Sequence, residues 1–174
     1  PNIRFNDKFS LSHDRNFTFI RKAIGFADKT YHDEAEEELD EVIFGTRNRK
    51  QIVNTATLTY SFNELMGINL RVRHYWARVE YAKFHGLAKD GLPNEGELIP
   101  TTYTGIDDEG DHFNNENFNA FSIDLLYRWR FAPGSEVNIA WKNNISTSDT
   151  NPHVKFGKNF GNMINSPQLN SFSV

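Results

Sequence analysis

The chain has 174 residues, a mass of 20.1 kDa and a formal net charge of -4, a size that suits one domain. Hydrophobic residues make up 38% and aromatic residues 14%, so more than a third of the apolar positions are rings. There is no cysteine, which excludes disulfides, thiolate zinc sites and thiol catalysis; no apolar run approaches the roughly 18 residues of a transmembrane helix, and the mild acidity gives no footing for nucleic acid.

In chain order, Ile3 and Phe5 read as the end of one strand and Phe9 and Leu11 as the start of the next, joined by a tight turn at Asn6-Asp7-Lys8. A long link is expected from about Arg21 to Glu41. Thr30 to Val42 is its one stretch of helical character, with Thr30 and Asp33 as a possible capping box and seven acids between Asp33 and Glu41. From Ile52 to Phe62 the even positions are Ile52, Asn54, Ala56, Leu58, Tyr60 and Phe62, against Val53, Thr55, Thr57, Thr59 and Ser61. Such period-two alternation places the two sets on opposite faces of a strand. After a turn at Asn63 to Gly67, a second strand carries Ile68, Leu70, Val72 and Trp76 opposite Asn69, Arg71 and Arg73, with His74 interrupting the apolar face.

A second long link runs from Gly86 to Glu116. It contains Asp107-Asp108-Glu109-Gly110-Asp111-His112, a cluster of hard oxygens without the spacing of a known calcium loop. The clearest alternation follows: Phe121, Ile123, Leu125, Tyr127, Trp129 and Phe131 against Ser122, Asp124, Leu126, Arg128 and Arg130. The turn Ala132-Pro133-Gly134-Ser135 leads to Val137, Ile139 and Trp141 opposite Glu136, Asn138 and Lys142. A third long link covers Thr147 to Pro167, and Phe172 and Val174 begin a last strand. Asn occurs 20 times, which fits a turn-rich, wet protein. No cofactor motif, phosphate loop, nucleophile elbow or His pair at metal spacing is found, and His13-Asp14-Arg15 has no identifiable cleft.

Long and short links alternate strictly, and the strands are long. Ten steps from Phe121 to Phe131, at roughly 3.3 Å each and a tilt of about 40°, give a height of roughly 25 Å, the apolar band of an outer-membrane barrel. Tyr60, Phe62, Tyr127, Trp129 and Phe131 then form an aromatic girdle beside the short turns. Arg71, Arg73, Arg128, Arg130 and Lys142 form a basic wall on the lumen side, partly neutralised by Asp124 and Glu136. The expectation is an all-β, antiparallel, up-and-down transmembrane β-barrel, present as a C-terminal fragment of about five whole and two partial strands, with no second domain in residues 1–174. Because the chain begins at Pro1 and ends inside an alternating run, it reads as a piece of a longer mature protein.

Ile52 to Trp76, Asn117 to Ile145 and Asn165 to Val174 resemble successive hairpins and the last strand of a family of large Gram-negative outer-membrane proteins, the domain of unknown function 5916. The most specific string is Tyr127-Arg128-Trp129-Arg130-Phe131-Ala132-Pro133-Gly134-Ser135. The resemblance implies an outer-membrane barrel preceded by a family-9-like carbohydrate-binding domain, and it supplies no catalytic residues. Partners on this reading are outer-membrane lipid, the remaining strands of the barrel and other outer-membrane proteins. The function expected is a barrel that anchors a carbohydrate-binding module, takes part in an assembly or conducts a solute. The alternative is a soluble all-β carbohydrate-binding or carbohydrate-active domain.

Overall fold

In a computed structural model the described residues are 1–31, 39–88, 96–107, 110 and 112–174. They form one antiparallel sheet and a single helix: β1 (Asn2–Arg4), β2 (Phe9–Tyr31), β3 (Leu39–Asn63), β4 (Met66–Leu87), β5 (Leu98–Ile99), β6 (Glu116–Ala132), β7 (Ser135–Asp149), α1 (Phe156–Ile164) and β8 (Leu169–Ser173). The order is β1-β2-β3-β4-β6-β7-β8, with the two-residue β5 paired to β4. Every long strand therefore lies beside its neighbour in sequence, the up-and-down connectivity expected. The sheet is open, as the two outer strands β1 and β8 are not paired to each other.

The short turns collect at one end. Asn6 Oδ1 accepts from the Lys8 and Phe9 N–H groups at 2.9 and 2.8 Å, and Asn63 Oδ1 accepts from the Leu65 N–H at 2.8 Å. These Asx turns close the chain over two or three residues. At the third turn Gly134 sits at φ 76°, a conformation glycine adopts without the steric penalty of a Cβ.

The strands are longer than the alternation suggested. β2 has 23 residues, β3 has 25 and β4 has 22. The link expected over Arg21 to Glu41 is mostly strand, and only 32–38 lie outside the described residues. Three register shifts in the β2–β3 pairing, at Ile20/Ala23, Phe26/Asp28 and Thr30/Tyr31, explain the discrepancy. Each extra residue inverts the alternation and erases a simple period of two. At the first shift Lys22 has φ 52°, and its N–H donates to Asn48 Oδ1 at 3.1 Å. Asp33, the expected partner of Thr30 in a capping box, lies outside the described residues. Thr30 lies in β2 and its hydroxyl donates to the Glu41 carbonyl at 3.4 Å. Most of the acidic run, and Asp108, Glu109 and Asp111 of the oxygen cluster, lie outside the described residues.

Residues 32–38, the middle of the stretch expected to have helical character, lie outside the described residues, and the helix that is described occupies Phe156–Ile164, inside the third long link. Lys155, the N-cap, makes no side-chain cap, so tertiary contact rather than capping holds α1. Phe156, Asn159, Phe160 and Met163 recur at i, i+3, i+4 and i+7, one face of a helix. Asn159 and Met163 are buried against the sheet.

Candidate functional site

The register sorts the side chains into two faces. Leu11, Leu58, Leu70, Leu125 and Trp141 lie in one cross-strand row, and Tyr60, Ile68, Tyr127 and Ile139 in the next. This is the apolar face read from the sequence. Near the short turns it is exposed and aromatic: Tyr60 and Phe62 meet edge to face with centroids 4.9 Å apart, and Trp129 and Phe131 are 5.7 Å apart. Phe9 extends the group to β2, 6.2 Å from Tyr60.

The other face brings the predicted basic residues together, though not as one continuous wall. Asp124 stands in register between Arg71 and Lys142, so these three charges alternate across the sheet. Arg73 lies opposite Ser122 and Thr55. Arg128 and Arg130 lie at the short-turn end, where they help to line a cavity of about 330 Å³ with Thr59, Ser61 and Asn69. Arg128 Nε is 3.9 Å from Glu136 Oε2, and both side chains are well exposed. Arg128 faces Gly67 in register, whereas Arg71 and Arg73 lie four and six residues further along β4.

At the far end the same polar face is covered. β3 alternates regularly from Ser61 to Glu41, so Arg47, Gly45, Ile43 and Glu41 share the face of Thr55 and Thr57. The segment 96–107 crosses this surface. Thr101 Oγ1 donates to Glu41 Oε2 at 2.7 Å, and the Tyr103 hydroxyl donates to Asp28 Oδ2 at 2.6 Å. Tyr103 Oη also lies 2.9 Å from Asn114 Oδ1. Rings continue the contact: Tyr103 meets Phe84 at 5.0 Å and Phe113 at 6.1 Å. Beneath, Arg47 Nη1 donates to the Tyr81 hydroxyl at 2.6 Å, and that hydroxyl donates to the Phe26 carbonyl at 3.1 Å. Ile43 is fully buried at this level.

Two glycines permit this packing. A Cβ at Gly45 would overlap the Tyr81 ring, and one at Gly105 would fall 2.6 Å from the Phe84 ring. Gly105 also has φ 65°. Burial, and then the hydrogen bond to Asp28, push the Tyr103 hydroxyl above its ordinary pKa, so it remains a donor. No local pattern signals this clasp, because its partners Asp28, Glu41, Arg47, Tyr81 and Tyr103 come from three strands and a link.

On the apolar face α1 builds a second polar assembly. Asn159 Oδ1 accepts from Asn117 Nδ2 at 2.9 Å and Asn119 Nδ2 at 3.1 Å, and Asn159 Nδ2 donates to Asn119 Oδ1 at 2.6 Å. Trp76 Nε1 donates to Asn117 Oδ1 at 2.7 Å, and Asn117 Nδ2 donates to Asp149 Oδ2 at 3.0 Å. Phe156 and Phe160 flank His74 at 5.8 and 5.5 Å. His74 thus interrupts the apolar face because α1 covers it there. His13-Asp14-Arg15 lies within β2, with His13 and Arg15 on the α1 face and Asp14 on the other.

Among the described residues no cluster of three or more metal-ligating side chains occurs, and no helix is long and apolar enough to cross a membrane. What the geometry defines is an all-β sheet of long antiparallel strands, with short turns at one end and link segments folded against both faces. The chain belongs to the family described as a domain of unknown function, DUF5916, whose match spans residues 1–174. No curated protein and no solved structure matches it.

Proposed function

We propose that this chain is the C-terminal part of a Gram-negative outer-membrane β-barrel whose lumen is narrowed by the 96–107 segment. Its principal role on this reading is to anchor an attached module, such as a carbohydrate-binding domain, or to serve in a membrane assembly. The observation that carries the proposal is the segregation of the faces. Leu11, Leu58, Leu70 and Leu125 run across four strands on one side, and Arg71, Asp124 and Lys142 alternate on the other. A lipid-facing exterior and a wet interior produce that pattern in a closed barrel.

The strand lengths are compatible with it. β3, with 25 residues, extends roughly 80 Å along its axis, far more than a band about 25 Å tall requires. The upper parts of β2, β3 and β4 would then stand beyond the membrane, where the Tyr103 clasp crosses them. A clasp on the lumen face favours a filled or narrow barrel over an open conduit.

The test uses the full-length protein. It should require detergent, co-float with liposomes after detergent removal, and show at most small conductance in planar bilayers. A protein that stays monodisperse in buffer without detergent and fails to float would instead support a soluble carbohydrate-binding or carbohydrate-active domain.

A further inference from the structure

We propose that the cleft beneath α1 binds the phosphate-monoester headgroup of an anionic lipid, through His13, Arg15 and Asn54; this rests on the barrel reading, which makes that face the exterior.

The cleft has a volume of about 490 Å³, and Phe156 and Phe160 of α1 form part of its wall. Arg15, Asn54 and His74 lie in one cross-strand row, and His13 lies one pleat nearer the short turns. The described lining residues include no carboxylate. Among the described residues no ion pair engages Arg15. His74 is 5% exposed and lines the cleft with its Nε2 buried. A guanidinium on a lipid-facing surface is costly. An anion would offset that cost, since a guanidinium offers paired N–H donors to phosphate oxygens and the His13 imidazole adds another.

The surroundings extend the positive charge. Lys50 and Arg78 stand directly opposite each other on β3 and β4, one row beyond Ile52 and Trp76. Like charges in that relation repel, and Glu80, two residues along β4 on the same face, offsets part of that repulsion at Arg78. Lys50 Nζ lies 5.1 Å from the Phe19 centroid, Arg21 lies 4.8 Å from the same ring, and Arg78 lies 4.1 Å from Trp76. Arg78 also donates to the Pro152 carbonyl at 3.2 Å. Of the acids near this end of the face, Glu80 lies 3.7 Å from His153 and also acts on Arg78 through its charge, and Asp149 accepts from Asn117.

The occupant is an amphiphile because the cleft opens onto apolar rows. Ala56 and Val72 belong to its lining, and Leu11, Leu58 and Leu70 form the next row towards the short turns. A phosphate held by Arg15 and His13 would leave acyl chains lying along that leucine row, parallel to the strands. A soluble anion would leave it bare.

The experiment uses full-length protein in nanodiscs of phosphatidylcholine doped with phosphatidic acid, with retained lipid counted by native mass spectrometry. Phosphatidic acid should be enriched, and Arg15→Gln should reduce the enrichment about tenfold. Arg71→Gln, on the opposite face, should leave it unchanged. If Arg15→Gln fails to assemble, His13→Gln carries the same comparison. Enrichment that persists in both cleft variants, or falls equally in Arg71→Gln, overturns the proposal. Equal retention of oleate shows that the site takes any anionic amphiphile and overturns the phosphate assignment. Displacement by millimolar inorganic phosphate alone overturns the lipid assignment. Failure to enter nanodiscs at all overturns the barrel reading, and this inference with it.

Discussion

Removing one oxygen at Tyr103 tests whether the 96–107 segment is clasped to the polar face or merely rests on it. Tyr103→Phe keeps the ring against Phe84 and Phe113 and deletes the 2.6 Å hydrogen bond to Asp28 Oδ2. A hydrogen bond to a charged group contributes about 1.5–3 kcal/mol, and half-exposed partners place this one near 1.5. Each 1.4 kcal/mol is a factor of ten in an equilibrium, so local opening of the segment should become about tenfold more frequent. The readout is hydrogen exchange of the amides of Leu98 and Ile99, which pair with Leu87 and Gly86, measured in the full-length protein. Exchange there should quicken about tenfold, while the β6–β7 hairpin keeps its protection. Asp28→Asn should produce a smaller change of the same sign, because the carboxamide oxygen can still accept. In planar bilayers Tyr103→Phe should lengthen open dwell times if the clasp narrows the lumen. Unchanged exchange at Leu98 and Ile99 would refute the clasp, and faster exchange spread evenly over all strands would show a global rather than a local effect.

Alkaline titration gives a second view of the same contact. The Tyr103 hydroxyl has its pKa raised in the fold, so its contribution is intact below the ordinary tyrosine value of about 10 and declines as pH rises past it; segment exchange should quicken above that pH, and less so in Tyr103→Phe. Met163 is fully buried under α1, and Met163→Ala should cost about 2–5 kcal/mol, read as lost protection in 156–164; unaltered protection would mean that α1 is held by its Asn159 contacts alone. Leu125→Arg should impair assembly by about 2–4 kcal/mol relative to Ser122→Arg, and equal assembly of the two would reverse the assignment of the faces. Arg128→Gln breaks an exposed pair 3.9 Å long and should leave thermal stability within about 1 kcal/mol of wild type, so a larger loss would show that Arg128 makes a further contact in the full-length protein.

The elements legible in the sequence were those in which one face repeats without interruption. β6 from Phe121 to Phe131 keeps strict alternation, and its pairing with β4 and β7 runs without a shift up to Arg130. The upper part of β2 was not legible, because each of its two extra residues, between Ile20 and Ala23 and between Phe26 and Asp28, moves the apolar set to the other face. α1 was missed for a different reason. It contains two glycines and two asparagines in nine residues, a poor helix composition, and its stability comes from Trp76, His74 and Phe121, which are remote in sequence. The one available sign was the spacing of Phe156, Phe160 and Met163. The basic residues on the polar face were legible because parity alone fixes their side. Their separation into an Arg71–Asp124–Lys142 row and an Arg128–Glu136 pair needed the register.

The two link segments solve one physical problem in opposite ways. A strand that continues past an exposed apolar stretch must satisfy its side chains on both faces with groups of its own chain. On the polar face the solution is charge-assisted: Asp28 and Glu41 accept from Tyr103 and Thr101, which ties the link after β4 back to β2 and β3. On the apolar face the solution is a neutral amide network, in which Asn117, Asn119 and Asn159 satisfy one another beneath α1. A carboxamide both donates and accepts, so three of them can close a network without burying a net charge. This accounts for part of the high asparagine content in terms that turns alone do not. It also places the boundary between the two regimes at the row of Arg15, Asn54 and His74. On β4 the apolar side changes there from Leu70 and Val72 to His74, and the amides bonded to Asn159 begin one row beyond it at Asn119.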